Sequence, residues 1–204
     1  MNELRPGLWT WTAPHPDWTP DQGGPEGWER DVRSYALDAG DCVVLFDPLV
    51  EASRVATLAD RRPVVVLLTC WWHRRSTAEL VRDLDAVVHA PEADIAELGL
   101  AAEPYRLGDD LPGDVEPCPG GHANECTLWV RGAEALVGGD TFLGGGERGF
   151  RLLPDSWLDE GVTHEGIRET LQPLLQLPVE LLLPTHGDPV TDDAQDALRS
   201  AFAA

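Results

Sequence analysis

The run VVVLL at residues 64–68 constrains the fold more than any other stretch of this chain. Five consecutive valines and leucines with no polar alternation offer no face to solvent. The segment is therefore expected to be a strand covered on both sides. It ends abruptly in Thr69, Cys70, Trp71, Trp72, His73, Arg74 and Arg75, after which a helical pattern begins at Ser76 with Leu80, Val81 and Leu84 on one face. Ser76, with Glu79 three residues on, has the form of a capping box. Ends of buried strands are where chemistry tends to sit in α/β proteins, and this one carries a histidine, two indoles and two cations.

The rest of the chain alternates strands and helices around that unit. Residues 6–13 alternate apolar and polar as a half-buried strand, and the Pro/Gly/Trp-rich stretch that follows, up to residue 31, reads as a loop whose tryptophans cover a cavity or a sheet edge. Residues 32–50 form a hairpin turning at Ala39-Gly40-Asp41, and 51–60 a short helix. AVVHAP is a strand and EADIAELG a short helix stopped by Gly99, with strands and turns from Pro104 to Gly145, including a hairpin at Arg131-Gly132. A helix capped by Thr163 meets Pro173, which kinks or breaks it; a buried strand ends in LLLPTHGDP, and the last dozen residues close the chain as a helix. We read residues 1–204 as one domain, an α/β fold in four layers with two sheets face to face and helices outside.

The formal net charge of -21 excludes some partners. An acidic surface repels phosphate backbones and anionic lipid heads, so neither nucleic acid nor membrane is expected; the charge says nothing of the substrate, which is expected to be a small molecule. No apolar run is long enough to span a bilayer and no leader pattern opens the chain, which suits a soluble, cytoplasmic protein. The four scattered cysteines form no C-x-x-C pair, so Cys42 and Cys70 are expected as buried thiols rather than disulfide partners. Oligomeric state stays open.

Of six histidines, His15, His89 and His164 have no context that recruits them. His73 follows the strand 64–68, His122 sits in the Gly-rich turn PGGHANE, His186 ends the strand LLLPTH, and Asp140 ends the strand ALVGGD. Imidazole nitrogens and a carboxylate at strand ends are what a zinc or iron site on a sheet scaffold requires.

With those motifs in view, the chain resembles the metallo-β-lactamase superfamily over nearly its whole length. VVLFDPLV is similar to that family's hairpin ending in a buried Asp, and VVVLLTCWWHRRS stands at its strand followed by T-H-x-H-x-D-H. PGGHANECTLWV resembles its G-H-T-x-G turn, ALVGGDTFLGG its strand ending in a bridging Asp, and LLLPTHGDPV its P-x-H-G strand end. The resemblance implies an αββα sandwich with metals at one edge of the two sheets, and a hydrolase. The loop departs from the pattern. Matching His73 to the second motif histidine puts Trp71 on the first, Arg75 on the Asp and Ser76 on the last histidine. Anchoring on Thr69 puts Cys70 and Trp72 on the first two histidines and arginines on the last two positions. The first alignment keeps a ligand and the helix start.

Arg75 would then place a permanent cation beside the vacated second-metal position, where repulsion with a dication costs several kcal/mol. The resemblance therefore implies at most one zinc or iron ion, held by His73, His122 and Asp140 with or without His186, or no metal at all. In a one-metal hydrolase Asp140 and Arg75 are the catalytic candidates, Arg75 acting electrostatically. Trp71, Trp72 and Trp9, Trp11 and Trp18 would wall the pocket, and Arg74 or Arg75 would hold an anionic group. The alternatives are a degenerate member that binds a small anionic or aromatic ligand without hydrolysing it, and metal-free chemistry on Arg75.

Overall fold

The computed structural model describes residues 1–24, 27–93, 95–145 and 149–203. Pro25 and Glu26 of the expected loop, Asp94 of the expected short helix and Ala204 of the closing helix lie outside these. Among the described residues, seven strands build the first sheet in chain order: β1 (Asn2–Arg5), β2 (Leu8–Pro14), β3 (Asp31–Asp38), β4 (Val43–Phe46), β5 (Val64–Leu67), β6 (Val87–Pro91) and β7 (Glu103–Tyr105). β1 to β4 pair antiparallel and β4 to β7 parallel. Two helices, α1 (Ala52–Ala59) and α2 (Thr77–Leu84), supply the crossovers on either side of β5.

The second sheet runs β13-β10-β9-β8, from β8 (Val115–Pro119), β9 (Cys126–Val130), β10 (Ala135–Val137) and β13 (Leu181–Leu183). A short antiparallel pair, β11 (Phe142–Leu143) and β12 (Arg151–Leu152), lies between β10 and α3 (His164–Leu171) in the chain. The last helix is α4 (Ala194–Ala203).

Alternation along β4 and β5 explains the layering. Val44, Phe46, Val65 and Leu67 face Val115, Leu128, Val130, Val137 and Leu183 of the second sheet in one buried cluster. Their neighbours Val43, Leu45, Val64, Val66 and Leu68 pack instead with Val55 and Ala59 of α1 and Leu80 of α2. The far side of the second sheet, through Trp129, Leu136 and Leu182, packs on Ile167 and Leu171 of α3 and Ala194 and Leu198 of α4. The order helix, sheet, sheet, helix is the four-layer arrangement expected. The unbroken apolar run is explained by it, because both faces of β5 are covered.

Several local expectations hold. β3 and β4 form the hairpin at Ala39-Gly40-Asp41, and β9 and β10 the one at Arg131-Gly132. Thr163 caps α3 by accepting the Gly166 N–H at 3.2 Å, and the α-helix ends at Leu171, two residues before Pro173. The capping box at Ser76 does not form. The Ser76 hydroxyl accepts the Val50 N–H at 2.9 Å and makes no cap bond, so it ties the β4–α1 connection to the β5–α2 connection. The strand β1 was not foreseen. All four cysteines are buried free thiols. No helix among the described residues is long and apolar enough to cross a membrane.

Candidate metal centre

The site gathers at the ends of strands from both sheets. Asp47, just past β4, is buried at φ +45°, a left-handed conformation that Asp tolerates better than most residues. Its carboxylate accepts the Thr69 N–H at 2.9 Å and the Thr69 hydroxyl at 2.7 Å, which ties the end of β4 to the end of β5. The same carboxylate stands 3.0 Å from Nδ1 of His73. A carboxylate on Nδ1 fixes the imidazole tautomer and leaves Nε2 as the outward nitrogen.

Asp140 and His186 arrive from the second sheet. Asp140 follows Gly138 and Gly139, and position 139 requires glycine on two counts, a φ of +55° and a Cβ that would lie 2.3 Å from Oε1 of Glu125. The His186 segment is clamped across the sandwich: Arg33 of β3 donates its backbone N–H to Thr185 O and its Nε–H to Gly187 O, and the Tyr35 hydroxyl donates to Pro184 O. Oδ1 of Asp140 lies 3.2 Å from Nε2 of His73 and 3.1 Å from Nε2 of His186. The Trp72 indole N–H holds the other oxygen, Oδ2, at 2.8 Å. All three residues are buried, and their ligand atoms lie within 4.8 Å of one another.

The contacts at Oδ1 are close but not aligned as hydrogen bonds, and Asp140 Oδ1 and His186 Nδ1 are buried without a hydrogen-bond partner. At metal–ligand bonds of about 2.0–2.2 Å, donor atoms sharing one ion stand about 3–3.5 Å apart. The spacing at Oδ1 matches that figure. Two imidazoles and one carboxylate lining a cavity are a donor set that would suit zinc or iron.

Around this cluster lies a cavity of about 440 Å³, walled by His15, Trp28, Trp72, Arg75, His122 and Trp157 together with the triad. His186 is held edge-on between Trp28 at 5.4 Å and Trp157 at 5.5 Å. His122 stands on the cavity wall, its ring 5.6 Å from Trp72 and its Nδ1 3.3 Å from Asp159, outside the group of converging ligand atoms. Arg75 is half-buried at φ +33°. Its Nη1 donates to Asp47 O at 2.8 Å and Arg33 O at 3.2 Å, so carbonyls rather than Asp140 anchor the guanidinium.

The other expected wall residues sit elsewhere. Trp71 packs on the apolar layer between the first sheet and its helices, and Arg74 is exposed with Nη1 donating to Leu98 O. Neither lines the cavity. Trp9 and Trp11 belong to that same layer, with the Trp11 indole N–H donating to Leu49 O at 2.9 Å. Trp18 donates to Trp28 O at 3.0 Å and braces the loop that carries Trp28. Trp28, Trp157 and His15 take the wall positions; Trp28 and His15 come from the Pro/Trp loop, whereas nothing around Trp157 marks it in sequence.

Charge in the site is set by burial against pairing. Burial alone would depress the pKa of His73, but the neighbours facing it raise it well above the ordinary histidine value. Cys70 beside it is pushed up to about 12 by burial and is a neutral thiol near pH 7, so Asp140 and Asp47 are the groups that hold the proton on His73. His186 is lowered, chiefly by burial in spite of Asp140, and is neutral, the form that ligates a metal.

Glu125 was not foreseen. It is buried beneath Asp140, accepting the N–H groups of Asp140 and Thr141 and the Thr141 hydroxyl. Burial, then the Asp140 charge, push its carboxyl up to about 7. An acid raised in the folded state contributes stability that is fully present below its unfolded pKa near 4.5 and is lost as pH rises through about 7. In metal-free protein, Glu125→Gln keeps the acceptor for both N–H groups and removes the buried charge. Its melting temperature should gain on wild type between about pH 5 and pH 8, by the equivalent of about 3 kcal/mol. A difference that stays flat across that range would show that Glu125 ionises as freely as in water.

No protein-family model matches the sequence, and no curated protein matches it. Solved structures do. A metallo-β-lactamase family protein from Thermus thermophilus superposes with a TM-score of 0.65 at 17% identity, covering 98% of this chain and 80% of that one. A metallo-β-lactamase from Erythrobacter litoralis gives 0.69 at 14% identity, covering 99% and 93%. TTHA1623, in a di-iron-bound form, gives 0.60 at 24% identity, covering 85% and 94%. With two facing sheets, helices outside and a cluster of ligand-type side chains where both sheets end, this chain has the metallo-β-lactamase fold.

Proposed function

We propose that the protein is a metal-dependent hydrolase working with a single zinc or iron ion held by His73, Asp140 and His186, on a small molecule that carries an anionic group. The observation that supports this most is the buried Oδ1 of Asp140, close to two imidazole nitrogens without hydrogen-bonding either. An ion bound there supplies a Lewis acid for a carbonyl or phosphoryl oxygen and lowers the pKa of a bound water.

The chain's own residues do the rest. Asp47 keeps Nε2 of His73 directed at Asp140, and the Trp72 indole N–H keeps Oδ1 of Asp140 turned to the histidines. Trp28 and Trp157 hold the His186 ring from two sides and keep water from it. Arg75, fixed by two carbonyls on the cavity wall, is the cation for an anionic substrate group, and its charge opposes a second dication. With Nδ1 toward Asp159, His122 keeps Nε2 as the acceptor for a proton released in the cavity.

A metal-free ligand binder is the second reading, favoured by Arg75, whose guanidinium is fixed on the cavity wall and supplies a cation without any ion. Elemental analysis of protein purified without chelator separates the two. One ion per chain is expected, lost in Asp140→Ala and His186→Ala and kept in His122→Ala. Wild-type protein carrying no ion, even after incubation with zinc or ferrous salt, would remove the hydrolase reading.

A further inference from the structure

A second cavity, also of about 440 Å³, lies on the other side of the Gly-rich turn. Its walls include Tyr105, Leu107, Pro119, Val162 and Ile167, with Gly166 of α3 facing it. Leu107 and Val162 are 56% and 38% exposed, two of the three large apolar side chains that are exposed among the described residues. The cavity is thus apolar over much of its wall, with the exposed Glu92–Arg106 ion pair and Thr170 also lining it, and its size suits a small-molecule site. His122 lines both cavities, and Glu125 lines the second while accepting the backbone N–H of Asp140. The two hollows therefore meet at the His122 side chain, which forms part of the wall of each.

We propose that this second cavity receives the apolar arm, an alkyl or aryl group, of the same substrate whose reacting group sits at the triad. The inference rests on the one-ion reading and narrows its substrate class to molecules with a polar reacting head and an apolar tail. A tail entering this space loses water from each methylene, whereas the metal-side cavity, with Arg75 and four imidazoles, favours the head.

Straight-chain hydroxamic acids of increasing length, titrated into zinc-loaded protein, test it. The head chelates the ion and the tail measures the cavity. Affinity is expected to rise about fourfold per added methylene until the space is filled. Gly166→Phe should flatten that rise and leave acetohydroxamic acid unaffected. A Cβ at Gly166 meets nothing closer than Thr163 Oγ1 at 3.6 Å, so the helix accepts the substitution while the ring takes up the cavity. Acetohydroxamic acid binding with no gain from longer chains overturns the proposal alone, as does a gain that Gly166→Phe leaves intact. Failure of every hydroxamate to bind would sink the one-ion reading and the link with it. The corresponding n-alkanols, titrated into metal-free protein, then report the cavity by itself.

Discussion

Asp47→Ala is expected to lower stability by about 3–5 kcal/mol and metal affinity by about 10–100-fold. The residue is 1% exposed and accepts from the Thr69 N–H, the Thr69 hydroxyl and Nδ1 of His73. Burial opposes its ionisation, but His73, Arg75 and the Thr69 N–H together keep its carboxyl below the usual carboxylate range. Alanine leaves a buried N–H without an acceptor and His73 without the carboxylate that orients it. Urea denaturation with chelator present reads the first effect and zinc titration the second. A loss under about 1 kcal/mol would mean that water replaces the carboxylate at no cost and that the end of β5 is not tied through Asp47.

Gly187→Ala is expected to cost at least about 4 kcal/mol, among the largest effects a single methyl produces. Gly187 has φ +87°, and a Cβ there would lie 1.8 Å from the carbonyl oxygen of Gly144. That carbonyl belongs to backbone, which does not swing aside as a side chain would, and the Gly144 N–H donates to His186 O at 2.8 Å. The segment must move, and His186 moves with it, so retained metal should fall together with the melting temperature. Gly166→Ala is the matching control: its Cβ has room, and helix propensity predicts a gain of up to about 1 kcal/mol. Equal stabilities for the two variants would show that the 144–188 approach is not the constraint we take it for.

The layered fold was legible because it follows from local pattern. VVVLL had to be covered twice, the hairpins turned at glycine, and Thr163 capped its helix as its side chain dictates. The convergence of His73, Asp140 and His186 was also legible, since each follows a strand beside residues that resemble one family's motifs. The capping box at Ser76 failed because its hydroxyl meets a backbone N–H from residue 50, a partner that no reading of residues 76–79 supplies. His122 shares the motif pattern but stands on the cavity wall beside Asp159, a residue 37 positions away.

Trp71 and Trp72 separate the two kinds of information most clearly. Adjacent in a short 3-10 turn, they are equivalent in sequence, yet one packs on the outer layer of the first sheet and the other donates to Asp140. Glu125 likewise looks like any acid in a Gly-rich turn until β9 and β10 bury it under Asp140. The chain alone determined which segments are strands and helices and which residue types end them, because periodicity and turn chemistry act over a few residues. Only the packing of the two sheets decided which side chains meet, because burial, approach distance and the pairing of buried charges depend on neighbours far away in sequence.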